Sequence, residues 1–129
     1  MEYICTICSR KKKRRPKLLP AIERYQSRRI RDVYYVSQIL QKPFLILSGK
    51  FGFLLPTDLV PWYDELLTAE QVNRFVEKLI TQAKEKKITD ITWHAEPEIA
   101  RGWGPYWQAI RMLCERTGIR RTEKIVSVP

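Results

Sequence analysis

The sequence has little that would serve secretion, a membrane or a metal. Its longest apolar runs, such as residues 44–47, fall far short of the roughly 20 residues that span a bilayer. Residues 1–9 lead straight into basic residues, the reverse of secretory order, so a cytoplasmic location is expected. Three cysteines are an odd number, which argues against a complete disulfide framework and for a reducing compartment. Only one histidine is present, His94, so a closed four-ligand zinc set is missing. Five Gly and eight Pro exclude a collagen-like or low-complexity chain. No Gly-x-Ser-x-Gly, His-Glu-x-x-His or Gly-x-Gly-x-x-Gly pattern occurs, and the spacing of a phosphate-binding Walker loop is absent. No metal, no cofactor and no membrane partner are therefore expected.

What is present is charge, and it is concentrated. The 129 residues, 44% hydrophobic and 29% charged, suit a single domain over 1–129 with a basic segment at 10–17. Arg10, Lys11, Lys12, Lys13, Arg14, Arg15, Lys17, Arg24, Arg28, Arg29 and Arg31 face one acid, Glu23, so this stretch holds the whole net charge of +10. Such a field attracts polyanions, because neutralising phosphates releases their condensed counterions. Six consecutive like charges also repel one another and favour a mobile, solvated loop. Arg24, Arg28, Arg29 and Arg31 on or near a helix turn the balance toward an anion-binding face.

The remaining pattern alternates. Residues 3–8 read as an apolar strand. Ser27 is placed to cap a helix over 28–41, with Ile30, Val33, Tyr34, Ser37 and Leu40 or Ile39 inward. Residues 44–48 form a buried strand, and 49–67 a long irregular stretch of the kind that usually serves function. Thr68-Ala-Glu-Gln71 is a capping-box pattern opening a helix to about residue 86. A strand at 89–94, a helix from Gly104-Pro105 to Thr117 closed by Gly118, and a strand at 125–128 complete the chain. The order β-α-β-α-β-α-β predicts an α/β fold: one three-layer domain around a mostly parallel four-stranded sheet. Ligands of such folds sit outside the carboxyl ends of the strands. Those ends are Cys8-Ser9, Ser48-Gly49-Lys50 and His94-Ala95-Glu96, and the basic run and the long loop both leave from that edge.

Individual chemistries are weaker signals. Cys5 and Cys8, three apart on a strand, point to opposite faces and cannot share a metal without a turn between them. Cys5 is expected in the core; Cys8, beside many cations, is the more reactive candidate. Lys50 between Gly49 and Gly52 could supply a point charge where backbone N–H groups approach a ligand. Trp62-Tyr63 and Trp103-Gly-Pro-Tyr106-Trp107 suit base stacking or packing on the rim of the sheet. Lys50, Asp64 and Glu96 are candidate catalytic groups, with no spacing that dictates a reaction.

Four elements carry a resemblance: Cys8-Ser-Arg-Lys; Tyr25-Gln-Ser27-Arg-Arg-Ile30; Leu47-Ser48-Gly-Lys50-Phe-Gly52; and Pro61-Trp-Tyr63-Asp64. Over residues 3–70 the chain resembles an uncharacterised small-domain family related to YaaA-like peroxide-stress proteins, and more distantly to the central domain of the archaeosine synthase alpha subunit. Gly49 stands where that family usually has Ala, and the basic insertion after Ser9 is longer. The resemblance implies DNA binding or the handling of a modified base in tRNA. The leading expectation is a basic protein binding nucleic acid or a nucleotide-like ligand at the carboxyl edge of its sheet. Cys8, Ser9, Tyr25, Ser27, Ser48, Lys50, Gly52, Tyr63 and Asp64 would line the ligand. Arg10, Lys11, Lys12, Lys13, Arg14, Arg15, Arg28, Arg29 and Arg31 would hold phosphates. The alternatives are an enzyme acting on a nucleobase or nucleoside, and an adaptor using its aromatic surface.

Overall fold

A computed structural model describes residues 1–126. The first strand, β1 (Glu2–Ile7), lies at the centre of the main sheet. It runs parallel to β3 (Phe44–Ser48) on one side, with Cys5 opposite Leu45, and to β6 (Asp90–Ala95) on the other, with Cys5 opposite Trp93. Every residue of β3 is buried, as a continuous apolar run predicts for a strand enclosed on both faces.

Among the described residues the sheet has five strands where four were expected: β4 (Gly52–Leu54), β3, β1, β6 and β7 (Arg120–Ile125), in that spatial order. The addition is β4 (Gly52–Leu54), antiparallel to β3 and concealed at sequence level within the irregular stretch. Its cause is local. Ser48 Oγ accepts the N–H groups of Lys50 (3.2 Å) and Phe51 (3.1 Å), tightening the reversal, and Gly52 takes φ +78°. The last strand, β7 (Arg120–Ile125), pairs with β6 ahead of the expected 125–128, of which residues 127–128 lie outside the described residues. A two-stranded ribbon, β2 (Leu19–Pro20) against β5 (Leu59–Val60), stands apart from this sheet.

The helices follow their sequence signals. After the single turn α1 (Ala21–Arg24), α2 (Arg28–Ile39) begins where the Ser27 side chain accepts the N–H of Ile30, and it buries Ile30, Val33 and Ser37 against β1 and β3. The Thr68/Gln71 capping box forms in full, opening a 3-10 turn at Ala69–Gln71 that passes into α3 (Val72–Glu85). Pro105 starts α4 (Gly104–Thr117), and Gly118 closes it at φ 78°. α3 and α4 pack on each other, and no described helix is long and apolar enough to cross a membrane. Trp93 sits at the core with Trp103 and Trp107 edge-on to it, each 6.1 Å away between ring centroids.

Candidate functional site

The connection leaving β1 goes to β3 on one side, and the one leaving β6 goes to β7 on the other. Where neighbouring strands send their chains in opposite directions, a crevice opens at their carboxyl ends. A cavity of about 300 Å³ lies there, with Cys8, Arg29, Glu96, Arg101, Trp103 and Tyr106 among its lining. Beside it a groove of about 480 Å³ is lined by Arg10, Lys11, Lys12, Arg14, Trp62, Tyr63 and Asp64. Arg10 belongs to both.

The basic run is held in place, and one residue does most of the holding. Arg24 is fully buried with its guanidinium aimed into the loop. It donates to the carbonyls of Val60 (3.1 Å), Lys13 (2.5 Å), Arg15 (3.2 Å) and Lys17 (2.5 Å). A buried charge is tolerated only when hydrogen-bonded throughout, and a planar fork with five donors suits this task. Arg24 is thus a clamp for the loop and not part of an anion-binding face. Ser9 Oγ donates to Lys11 O (2.7 Å), and Gln26 N–H donates to the same carbonyl (2.9 Å), so both ends of the loop are tied.

The charged residues then divide. Arg10, Lys11, Arg14 and Arg15 are exposed, with Lys13 half-buried. Lys12 is only 8% exposed; its ammonium lies 4.5 Å from the centre of the Tyr63 ring and donates to Arg10 O. Burial lowers its pKa from the ordinary lysine value, with Cys8 and Asp64 opposing and Arg10 reinforcing that shift. Arg29 turns inward, donating to Thr6 Oγ1 (2.6 Å) and to the carbonyls of Ile7 (2.9 Å) and Cys8 (3.4 Å), while stacking over Trp103. Arg28 pairs with Asp32 at the surface, and Arg31 is exposed on the same helix.

Four of the expected ligand residues form one buried cluster. Ser48 Oγ already accepts two backbone N–H groups, so its own O–H donates to Tyr63 Oη at 2.8 Å. Tyr63 in turn donates to Tyr25 Oη at 2.5 Å. Cys8 Sγ lies 3.7 Å from the hydroxyl of Tyr106, which also accepts Leu67 N–H. Burial pushes the phenols of Tyr25, Tyr63 and Tyr106 well above their usual range, so they act as neutral hydrogen-bonding groups. Burial likewise pushes up the Cys5 thiol in the core.

The other expected ligand residues are dispersed. Ser27 caps α2, whereas Ser9 ties the loop through Lys11 O and also lines the 300 Å³ cavity. Gly52 gives its space to Gln82: an added Cβ would lie 2.2 Å from Gln82 Oε1, which accepts Phe53 N–H while Nε2 donates to Phe51 O. Lys50 pairs with Glu65 at 3.1 Å on a separate cavity of about 600 Å³. Asp64 lies in the basic groove, and Glu96 faces the 300 Å³ cavity with Oε2 accepting Trp103 Nε1–H (2.9 Å). Lys50, Asp64 and Glu96 therefore line three different cavities. Trp103, Tyr106 and Trp107 are buried in the chain's own core, leaving Trp62, 41% exposed beside Arg14, as the ring free to stack. Arg101 was not singled out by the sequence reading, although the rule of carboxyl strand ends covers its loop.

No protein-family model matches the chain, and neither a curated protein nor a solved structure was found similar to it.

Proposed function

We propose that this chain is a small α/β protein that binds single-stranded nucleic acid along the groove formed by its basic loop. The observation that carries the reading is the set of cations Arg10, Lys11 and Arg14 in one groove with the exposed ring of Trp62, continued by Lys13 and Arg15 along the adjoining hollow that shares Lys11 and Arg14. Cations placed to track a backbone, with an aromatic face for bases, are the two parts of sequence-tolerant strand binding. The resemblance to YaaA-like proteins supports it, since Cys8, Tyr25, Ser48 and Tyr63, one from each shared element, belong to the polar cluster behind the groove. Right-handed crossovers on this strand order would put α2 on one face and α3 and α4 on the other. In that three-layer arrangement groove and cavity share the open carboxyl edge. Buried thiols fit a reducing cytoplasm.

Fluorescence anisotropy with a labelled oligonucleotide tests the reading. About five phosphate contacts on a single strand give a log–log salt slope of about −3.5. Asp64→Asn removes the groove's carboxylate and is expected to tighten binding, and Trp62→Ala to weaken it by about tenfold, the worth of one stacked base. Binding that ignores salt, or none at low salt, would refute the proposal.

A further inference from the structure

Building on that reading of the groove, we propose that the cavity between the carboxyl ends of β1 and β6 is a site for the phosphomonoester end of a nucleic-acid strand. Three observations lead there. The first is charge: Arg10, Arg29 and Arg101 face a single carboxylate, Glu96. That leaves two positive charges, matching a terminal phosphate of about −1.5 to −2 at neutral pH. An internal phosphodiester carries only one negative charge.

The second is which of these groups is free. Glu96 is held by Trp103, and Arg29 has three of its five N–H donors engaged with Thr6, Ile7 and Cys8, so it contributes chiefly field and a firm wall. Arg10 and Arg101 are exposed and, among the described residues, have no ion-pair partner. Their guanidinium forks are available for the paired N–H···O contacts that phosphate oxygens accept.

The third is continuity and size. Arg10 lines both groove and cavity, so a strand lying along the groove reaches the cavity at one residue. About 300 Å³ is the lower end of ligand pockets, room for a terminal nucleotide and not for a duplex. The fourteen-residue helix α4 starts at the cavity wall and adds the positive end of its dipole.

Competition binding with three strands of one sequence tests this: one with a 5′-phosphate, one with a 3′-phosphate, one with hydroxyls at both ends. One phosphorylated strand is expected to bind about tenfold tighter than the hydroxyl-ended strand, the worth of one charge-assisted contact. Arg101→Ala, at an exposed position, is expected to abolish that difference; which end gains tells the polarity. Equal binding of all three strands, with salt dependence kept, overturns end recognition and leaves the groove reading standing. Failure of every strand to bind overturns both. A preference that survives Arg101→Ala and Arg10→Ala together overturns the placement in this cavity.

Discussion

Gly49 lacks a side chain where Tyr106 needs room. A Cβ there would lie 2.6 Å from the Tyr106 hydroxyl and 2.9 Å from the backbone nitrogen of Leu67. The first contact could be relieved by a ring movement, but that movement would pull Tyr106 away from the Cys8 thiol and from Leu67 N–H. The second meets main chain. Gly49→Ala is accordingly expected to cost about 1–3 kcal/mol, as overpacking of a tight interior does. Chemical denaturation measures it, and a wild-type midpoint would show that the 49–67 segment yields without strain.

At the scale of elements, the basic loop depends on Arg24. Its four carbonyl partners come from the loop and from β5, so the clamp joins residues 13–17 to the β2–β5 ribbon. Arg24→Met keeps the apolar stem and removes every donor, leaving the buried Val60 carbonyl and three part-buried loop carbonyls without this partner. A loss of about 3 kcal/mol is expected, in the range for hydrogen bonds to a charged group. Trypsin should then cut within residues 10–17 faster than in the parent protein, because a loosened loop populates cleavable conformations more often. Unchanged cleavage would mean that the Lys12–Tyr25 backbone pairing and the Ser9–Lys11 hydrogen bond order the loop without the guanidinium. Arg24→Lys is expected to fail as well, since an ammonium cannot span four carbonyls with the geometry of a planar fork.

For the molecule as a whole, the buried phenols and thiol set an alkaline limit to stability. Tyr25, Tyr63 and Tyr106 have folded-state pKa values above the unfolded value of about 10, so beyond that pH the unfolded chain releases protons that the native one keeps. Their contribution is complete below about pH 10 and is lost as pH climbs past it; Cys5 behaves alike from about pH 9, its own reference value. His94 acts on the acid side. Burial first, and Lys124 second, lower its pKa, so stability falls as pH drops below about 6.5 and the unfolded chain gains a proton the native one refuses. A melting-temperature profile against pH checks both arms, and the absorbance of all six phenolates should be reached only together with loss of native circular dichroism. Six phenolates well before unfolding would show the hydroxyls of Tyr25, Tyr63 and Tyr106 to be open to solvent.

Much of this molecule was legible along the chain because its signals are local. Caps and apolar stripes placed α2, α3 and α4, for a capping side chain and its N–H partner lie within a few residues of each other. Continuous apolar runs placed β1 and β3, which are enclosed on both sides, and the concentration of charge before Arg31 needed only counting. What tertiary structure decided depends on distant partners. β7 is mostly charged and exposed, with no apolar alternation to announce it, and becomes a strand because β6 offers it a free edge. Arg24 reads as one more surface cation until four carbonyls from residues up to 36 apart in sequence close around it. Lys50, Asp64 and Glu96 all follow strands or turns that promise a common pocket, yet they line three cavities. Residue type and spacing state what a side chain can do; which neighbours it finds is set only when the strands are ordered and the loops are packed.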